Sequence, residues 1–384
     1  MKSSFKLFRI AGIDIGIHYS WIFIFIFFSW SLEEYFHVLY PGWSTATVWL
    51  CGVISSVAIF VSVLLHEMAH SLVARSRGLP VNSITLFILG GVSNLQEEPK
   101  EPGVEFSMAI VGPGTSLVLA VIFWGIASAM SGTLLSYSGI TSGTVLTTPV
   151  QAVIGYLGVI NLFLGAFNLL PGFPLDGGRV LRSLVWHNTG NLDKATNIAA
   201  GVGKFFGWGF IIVGVVLVFT VSLFSGIWIA FIGWFLNNAA DTSRRELVIR
   251  ERLGGVKVKD VISPVESVSP SSMVDQLVAN IFAKKHERAI PVCNGERVVG
   301  IVTISDIREV PQDKWSITPV SQIMTADPLY SVGLNDDLAS ALKLIAGHDI
   351  NQVIVKEGEK CAGMLSRADI LRYLQFSQEL GIRR

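Results

Sequence analysis

Three long stretches of this chain, residues 35–65, 106–175 and 205–240, contain no Asp, Glu, Lys or Arg. A bilayer's hydrocarbon core takes about 20 helical residues to cross, and each stretch is at least that long. In lipid every backbone N–H and C=O must be satisfied internally, so such stretches point to helices. Six apolar segments can be delimited at 17–32, 45–74, 104–130, 150–170, 200–223 and 225–240. Residues 5–16 and 84–95 instead alternate in part and contain glycine, as small hairpins do.

The charge deficit is local. The chain has 384 residues, of which 15% are charged, against about 25% in an average soluble protein. From about residue 244 onward the composition is that of a soluble protein. The fold class expected is a polytopic α-helical membrane domain of about six spans over residues 1–243, a linker at 244–255, and a soluble α/β half. The net charge of zero gives no support for nucleic acid as a partner. Cys51, Cys293 and Cys361 form no C-x-x-C pair and read as small buried residues in a reduced compartment. The basic N-terminus before Trp21–Trp30 looks like a signal peptide, but Ser31-Leu32-Glu33-Glu34 is a poor cleavage site, so a retained first span is expected.

Orientation follows from Lys and Arg beside the spans. Lys2, Lys6 and Arg9 precede the first, Arg75 and Arg77 follow the second, Arg179 and Arg182 the fourth, Arg244 and Arg245 the sixth. With six alternating spans all of these fall on one side. Both termini are then cytoplasmic in a multi-pass protein of the cell membrane, with 33–44 and 131–149 outside.

Residues 66–70 read His-Glu-Met-Ala-His. This H-E-x-x-H spacing sets His66 and His70 one helical turn apart on one face, where both imidazoles can bind one Zn²⁺. Glu67 falls beside them, where a carboxylate can take a proton from water. At about 1.5 Å per residue from Arg75, His70 and His66 lie about 8 and 14 Å inside the membrane. Ionisable groups at that depth are costly and are functional candidates by default. A catalytic zinc uses three protein ligands. Asp176, in Asn168-Leu-Leu-Pro-Gly-Phe-Pro-Leu-Asp-Gly-Gly-Arg179, is the candidate third, because Pro171 and Pro174 break the fourth span and turn it back toward the core. A second reading has Asp176 capping the helix that carries Arg179 and Arg182. Asn168 is an amide in an apolar helix; it either holds a substrate carbonyl or oxyanion, or ties helices together. Gly112-Pro-Gly114 leaves room for close helix contact or a kink. His18, His37 and His187 read as structural residues near span ends.

The soluble half contains an internal repeat. Val258-Lys-Asp-Val-Ile-Ser and Val320-Ser-Gln-Ile-Met-Thr are offset by 62 residues, and Gly300-Ile-Val-Thr-Ile-Ser-Asp306 and Gly363-Met-Leu-Ser-Arg-Ala-Asp369 by 63. Each copy reads as a helix, a strand pair and a second helix.

Together, His66-Glu-x-x-His70, Gly112-Pro-Gly and Asn168-x-x-Pro-x-x-Pro-Leu-Asp176-Gly-Gly-Arg resemble the site-2 protease family of intramembrane zinc metalloproteases. The repeats resemble a tandem CBS pair, with copies at 256–310 and 320–376. The resemblance implies one zinc per chain on His66, His70 and Asp176, with Glu67 as general base and Asn168 stabilising substrate or intermediate. It implies cleavage of the transmembrane segments of other membrane proteins. It also implies an adenine nucleotide at the CBS pair, on Thr303 with Asp306 and Ser366 with Asp369, although these residues equally suit strand-to-helix caps. A homodimer through the CBS pair is a further implied partner. Two other classes stay open at this stage, a CBS-regulated membrane transporter and a catalytically idle binder of membrane proteins.

Overall fold

The computed structural model describes residues 4–88, 90–95, 99–133, 145–263, 265–279, 288–326, 329–348 and 350–379. The chain divides into two compact units, Met1–Arg244 and Arg245–Arg384.

The first unit opens with β1 (Ser4–Ile10) and β2 (Ile13–His18), followed by α1 (Ser20–Leu39) and α2 (Thr45–Ser76). Then come β3 (Val81–Phe87), β4 (Gly90–Leu95), α3 (Pro102–Ser131), α4 (Pro149–Asn168), α5 (Asp176–Thr189), α6 (Leu192–Thr220) and α7 (Leu223–Leu253). Among the described residues, six helices are long and apolar enough to cross a membrane: α1, α2, α3, α4, α6 and the first 20 residues of α7. Their ends carry ordinary stop and start signals. Ser44 caps α2 by accepting from Thr47 N at 3.2 Å, and Thr148 and Gln151 form a capping box ahead of α4, with Pro149 in its first turn. α4 stops at Asn168, just before Pro171 and Pro174, neither of which can donate to a continuing helix.

The first span differs from the expectation. α1 does not end at residue 32, and Glu33 and Glu34 lie inside it, so the connection to α2 is confined to residues 40–44. The cause is its buried face. Leu32 and Phe36, one turn apart, pack with Val48, Cys51 and Leu157, so burial carries the helix past the two acids. Of the expected outer segment 131–149, residues 134–144 lie outside the described residues.

The two hairpins expected from alternation form, but as parts of one sheet of order β1-β2-β3-β4. β2 and β3 join them in parallel, from Asp14 opposite Ser83 to Ile17 opposite Leu86. Ile13, Ile15 and Ile84 are fully buried and pack with Met68, Ala74 and Met108. The sheet is thereby seated on the second half of α2 and on α3, with β4 as its last strand.

The second unit is built from α8 (Val274–Leu277), β5 (Ala289–Asn294), β6 (Arg297–Thr303), α9 (Ile304–Arg308), β7 (Ser331–Gly333), α10 (Leu338–Gly347), β8 (Gln352–Glu357), β9 (Lys360–Ser366) and α11 (Arg367–Glu379). One five-stranded sheet, β5-β6-β9-β8-β7, holds both repeats. Each repeat's opening segment packs in the other's core: Val256 and Val258 lie with Leu338, Val353 and Leu365, and Val320 lies with Val274, Ile290 and Val302.

Candidate metal centre and active site

α2 places His66 and His70 with ring centroids 4.8 Å apart and their Nε2 atoms 3.2 Å apart. Asp176, the first residue of α5, brings Oδ2 to 3.1 Å from each Nε2. Among the described residues this is the one group of three or more His, Cys, Asp or Glu arranged to hold a metal ion. Asp176 stands one residue past the N-cap position, which Leu175 holds, and its carboxylate faces the two imidazoles.

The far side of each ring is tied down. His70 Nδ1 lies 2.6 Å from the Met108 carbonyl oxygen. A carbonyl only accepts, so Nδ1 carries the proton, which leaves Nε2 as the nitrogen that can offer a lone pair to a metal. His66 Nδ1 lies 2.9 Å from the hydroxyl of Ser116, which is fully buried. Partners of this kind orient ligating histidines in metal sites. Two imidazole nitrogens and a carboxylate oxygen converging within 3.2 Å of one another are a donor set for a cation. α3 leaves space for it at Gly112, where a Cβ would collide with His70 Nε2 and lie 2.7 Å from His66 Nε2. The residues fit zinc in number and type.

α5 is itself anchored. Arg182 donates from Nε to Glu105 Oε1 at 2.6 Å, a second guanidinium nitrogen contacts the same oxygen, and the guanidinium lies 5.2 Å from the Phe173 ring centroid. Glu105, in the first turn of α3, is buried.

Glu67 is half-buried beside the histidines. Ser93 on β4 donates to its Oε2 at 2.9 Å, and Ser71 Oγ lies 3.1 Å from Ser93 Oγ. Asn168, near the end of α4, donates to the Leu164 carbonyl of its own helix at 2.9 Å. A cavity of about 1010 Å³ lies over the site, bounded by His66, Glu67, His70, Asn168 and Asp176. Phe23 and Phe27 of α1 and Trp228 and Phe231 of α7 give it apolar walls. His18 is apart from this group and pairs with Ser20 Oγ at 2.8 Å.

Reading the sequence alone missed several contributors. Ser71, Ser93, Ser116 and Asn161 line or support the site. Asn161 is fully buried, bounds the cavity and donates to Ser62 Oγ at 3.1 Å. For Ser71, Ser116 and Asn161 the available signal was polarity in apolar segments, where a hydroxyl or amide needs a partner; Ser93, in the second hairpin, carried no such signal.

In the second unit, Thr303 caps α9 in a box with Asp306, whose Oδ2 accepts from Thr303 N at 2.7 Å and Oγ1 at 2.8 Å. Ser366 and Asp369 repeat the pattern at 3.0 and 2.5 Å, and Ser263 Oγ donates to Asp369 Oδ1 at 3.3 Å. These hydrogen bonds realise the strand-to-helix capping that the sequence offered as one of two readings.

A family model described as peptidase family M50 matches residues 54–210, and a CBS domain model matches residues 258–313 and 320–375. The chain is 33% identical to sll0528 of Synechocystis sp., named as a zinc metalloprotease, over 98% of this chain and 97% of that protein. The chain belongs to peptidase family M50. A second M50 relative, Rip3 of Mycobacterium tuberculosis, also named as a zinc metalloprotease, is 32% identical over 97% of this chain and 93% of its own length. A solved site-2 protease from Methanocaldococcus jannaschii is 28% identical, covering 63% of this chain and 95% of its own, with a TM-score of 0.40. This M50 peptidase is a multi-pass membrane zinc metalloprotease of site-2 protease type, with a CBS pair after its last span. That membership sets aside the transporter reading.

Proposed function

We propose that this peptidase hydrolyses peptide bonds within or next to the transmembrane segments of membrane-protein substrates. The observation that carries the reading is the closed triangle of His66 Nε2, His70 Nε2 and Asp176 Oδ2, with 3.1–3.2 Å sides, built on α2, a helix of membrane-spanning length, and on the start of α5, with a carboxylate beside it. His66, His70 and Asp176 would hold one zinc per chain. Zinc bound there supplies a Lewis acid that polarises the scissile carbonyl and makes water a nucleophile near neutral pH.

The chain's own residues do the rest. Glu67 takes the proton of the attacking water and delivers it to the leaving amide nitrogen, since no other acid lies beside it in α2. The Asn168 amide lies along the cavity wall, where it can donate to the substrate carbonyl. A substrate helix hides its carbonyls in its own hydrogen bonds and must unwind before it can react. β4, the last strand of its sheet, offers an edge on which the unwound segment can pair, and the apolar cavity walls suit its side chains. The basic clusters favour both termini in the cytoplasm of a cell-membrane protein, with residues 1–243 as the peptidase domain and 244–255 as linker. Thr303, Asp306, Ser366 and Asp369 are the residues on which the CBS repeats, at 256–310 and 320–376, would bind an adenine nucleotide that modulates cleavage, and the pair also offers a surface for a homodimer.

Metal analysis and substrate trapping test this reading. Wild-type protein should carry about one zinc per chain, and His66→Ala with His70→Ala should lose it. Glu67→Gln should keep zinc, lose cleavage by about 10²–10⁴-fold, and accumulate bound, uncut membrane proteins. Cleavage at the wild-type rate by Glu67→Gln would refute the general-base role and leave an idle binder to be considered.

A further inference from the structure

β4 meets α2 through alternate residues. Side chains along a strand point to opposite faces in turn; Gly91 and Ser93 are half-buried and Val92 and Asn94 exposed. Both inward residues touch Glu67. A Cβ on Gly91 would lie 2.6 Å from Glu67 Cγ and 3.3 Å from Cδ, so this glycine leaves the space that the glutamate stem occupies. Ser93 Oγ lies 2.9 Å from Glu67 Oε2.

The direction of the hydroxyl chain follows from donor counting. Ser93 donates to Glu67 Oε2, so its single hydroxyl proton is committed there. The 3.1 Å contact between Ser71 and Ser93 must then be donated by Ser71. Ser71 sits one turn after Glu67 on α2 and is 1% exposed, so water does not compete for it. The result is a directed chain, Ser71 to Ser93 to Glu67, that leaves and re-enters α2 through β4. A Glu side chain has several rotatable bonds, and the hydrogen bond from Ser93 to this carboxylate does not come from its own helix. The donor that fixes its orientation comes from a separate element.

We propose that Ser93 is a positioning residue for hydrolysis: oriented by Ser71, its hydroxyl holds the Glu67 carboxylate in the rotamer that takes up the water proton. The proposal rests on the reading of Glu67 as general base. It extends the role of β4 from a docking edge to a support of the general base.

The test uses the full-length, zinc-loaded protein in vesicles of phosphatidylethanolamine and phosphatidylglycerol, with a fluorogenic transmembrane peptide as substrate. Ser93→Ala should lower kcat roughly ten- to a hundredfold, the range for losing a hydrogen bond to a charged group. KM, zinc per chain and affinity for the uncut peptide should stay within about twofold of wild type, because neither the metal ligands nor the strand backbone is altered. Ser93→Thr keeps a hydroxyl on the same carbon in a residue that strands accept, and should recover most of the loss. Ser71→Ala should show a smaller loss of the same kind. In a Glu67→Gln background, Ser93→Ala should lose most of its effect, as coupled residues do. Wild-type kcat in Ser93→Ala, a loss that Thr does not rescue, or an equal loss in the Glu67→Gln background would overturn the positioning role. Wild-type cleavage by Glu67→Gln itself would instead overturn the general-base reading beneath it.

Discussion

Gly112→Ala should strip zinc affinity from this peptidase while leaving its fold in place. The new methyl carbon would lie 2.7 Å from His66 Nε2 and nearer still to His70 Nε2. Optimal contacts between such atoms begin at about 3.5 Å, so His66 Nε2 alone must retreat by ~0.8 Å. Metal ligands tolerate about 0.2 Å. Neither ring can swing away freely, since the Met108 carbonyl and Ser116 hold their Nδ1 atoms at 2.6 and 2.9 Å. Loss of one orienting partner costs roughly ten- to a hundredfold in metal affinity. With two ligands displaced, an effect of about 10²–10⁴-fold is expected. Helix propensity acts in the other direction, since Ala at a helical glycine favours the helix by about 0.8–1 kcal/mol, so the metal-free protein should melt close to wild type. Zinc competition against a chelating dye, alongside thermal unfolding of metal-free protein in detergent, separates the two effects. Gly112→Ala with wild-type zinc affinity would refute the claim that the cleft between α2 and α3 is shaped around an ion.

Other outcomes follow from single contacts. Arg182→Ala removes the hydrogen bond from the guanidinium to the buried Glu105 and should cost about 1.5–3 kcal/mol in stability, the range for a hydrogen bond to a charged group, read as a lowered unfolding midpoint; a change under about 0.5 kcal/mol would show that this pair does not anchor α5. Asp306→Ala with Asp369→Ala removes two capping boxes, at roughly 1 kcal/mol each, and should also weaken binding of AMP, ADP or ATP to the full-length chain by calorimetry. Wild-type chain that binds none of them at millimolar concentration would reduce these aspartates to caps.

The convergence of His66, His70 and Asp176 was legible because lipid makes ionisable residues expensive. With so few Asp, Glu and His in the apolar segments, the helical spacing of His66 and His70 and the proline-broken return to Asp176 had few competitors, although they lie 106–110 residues apart. The support around them was not legible. The hydrogen bond from Ser93 to Glu67 depends on β4 lying against α2, and that depends on parallel pairing of β2 with β3, for which neither strand carries a local signal. The end of α1 was not legible in the apolar segment at 17–32, because burial of Leu32 and Phe36 carries the helix past Glu33 and Glu34. In the CBS pair, the repeat was plain from spacing, but the packing of Val256 and Val258 in the second copy's core is a tertiary exchange that periodicity cannot report. Thr303 and Ser366 carried a capping signal and a ligand signal in the same residues, and only the geometry displays the first.

The central claim is that a peptide bond at membrane depth is hydrolysed at the His66–His70–Asp176 site. The most direct measurement maps the cut in a transmembrane peptide, reconstituted with wild-type protein and with Glu67→Gln, by mass spectrometry in heavy-oxygen water. The account predicts a new carboxyl terminus within or next to the peptide's apolar segment, carrying heavy oxygen, from wild type alone. A cut confined to the peptide's water-exposed ends, or an equal yield from Glu67→Gln, would contradict it.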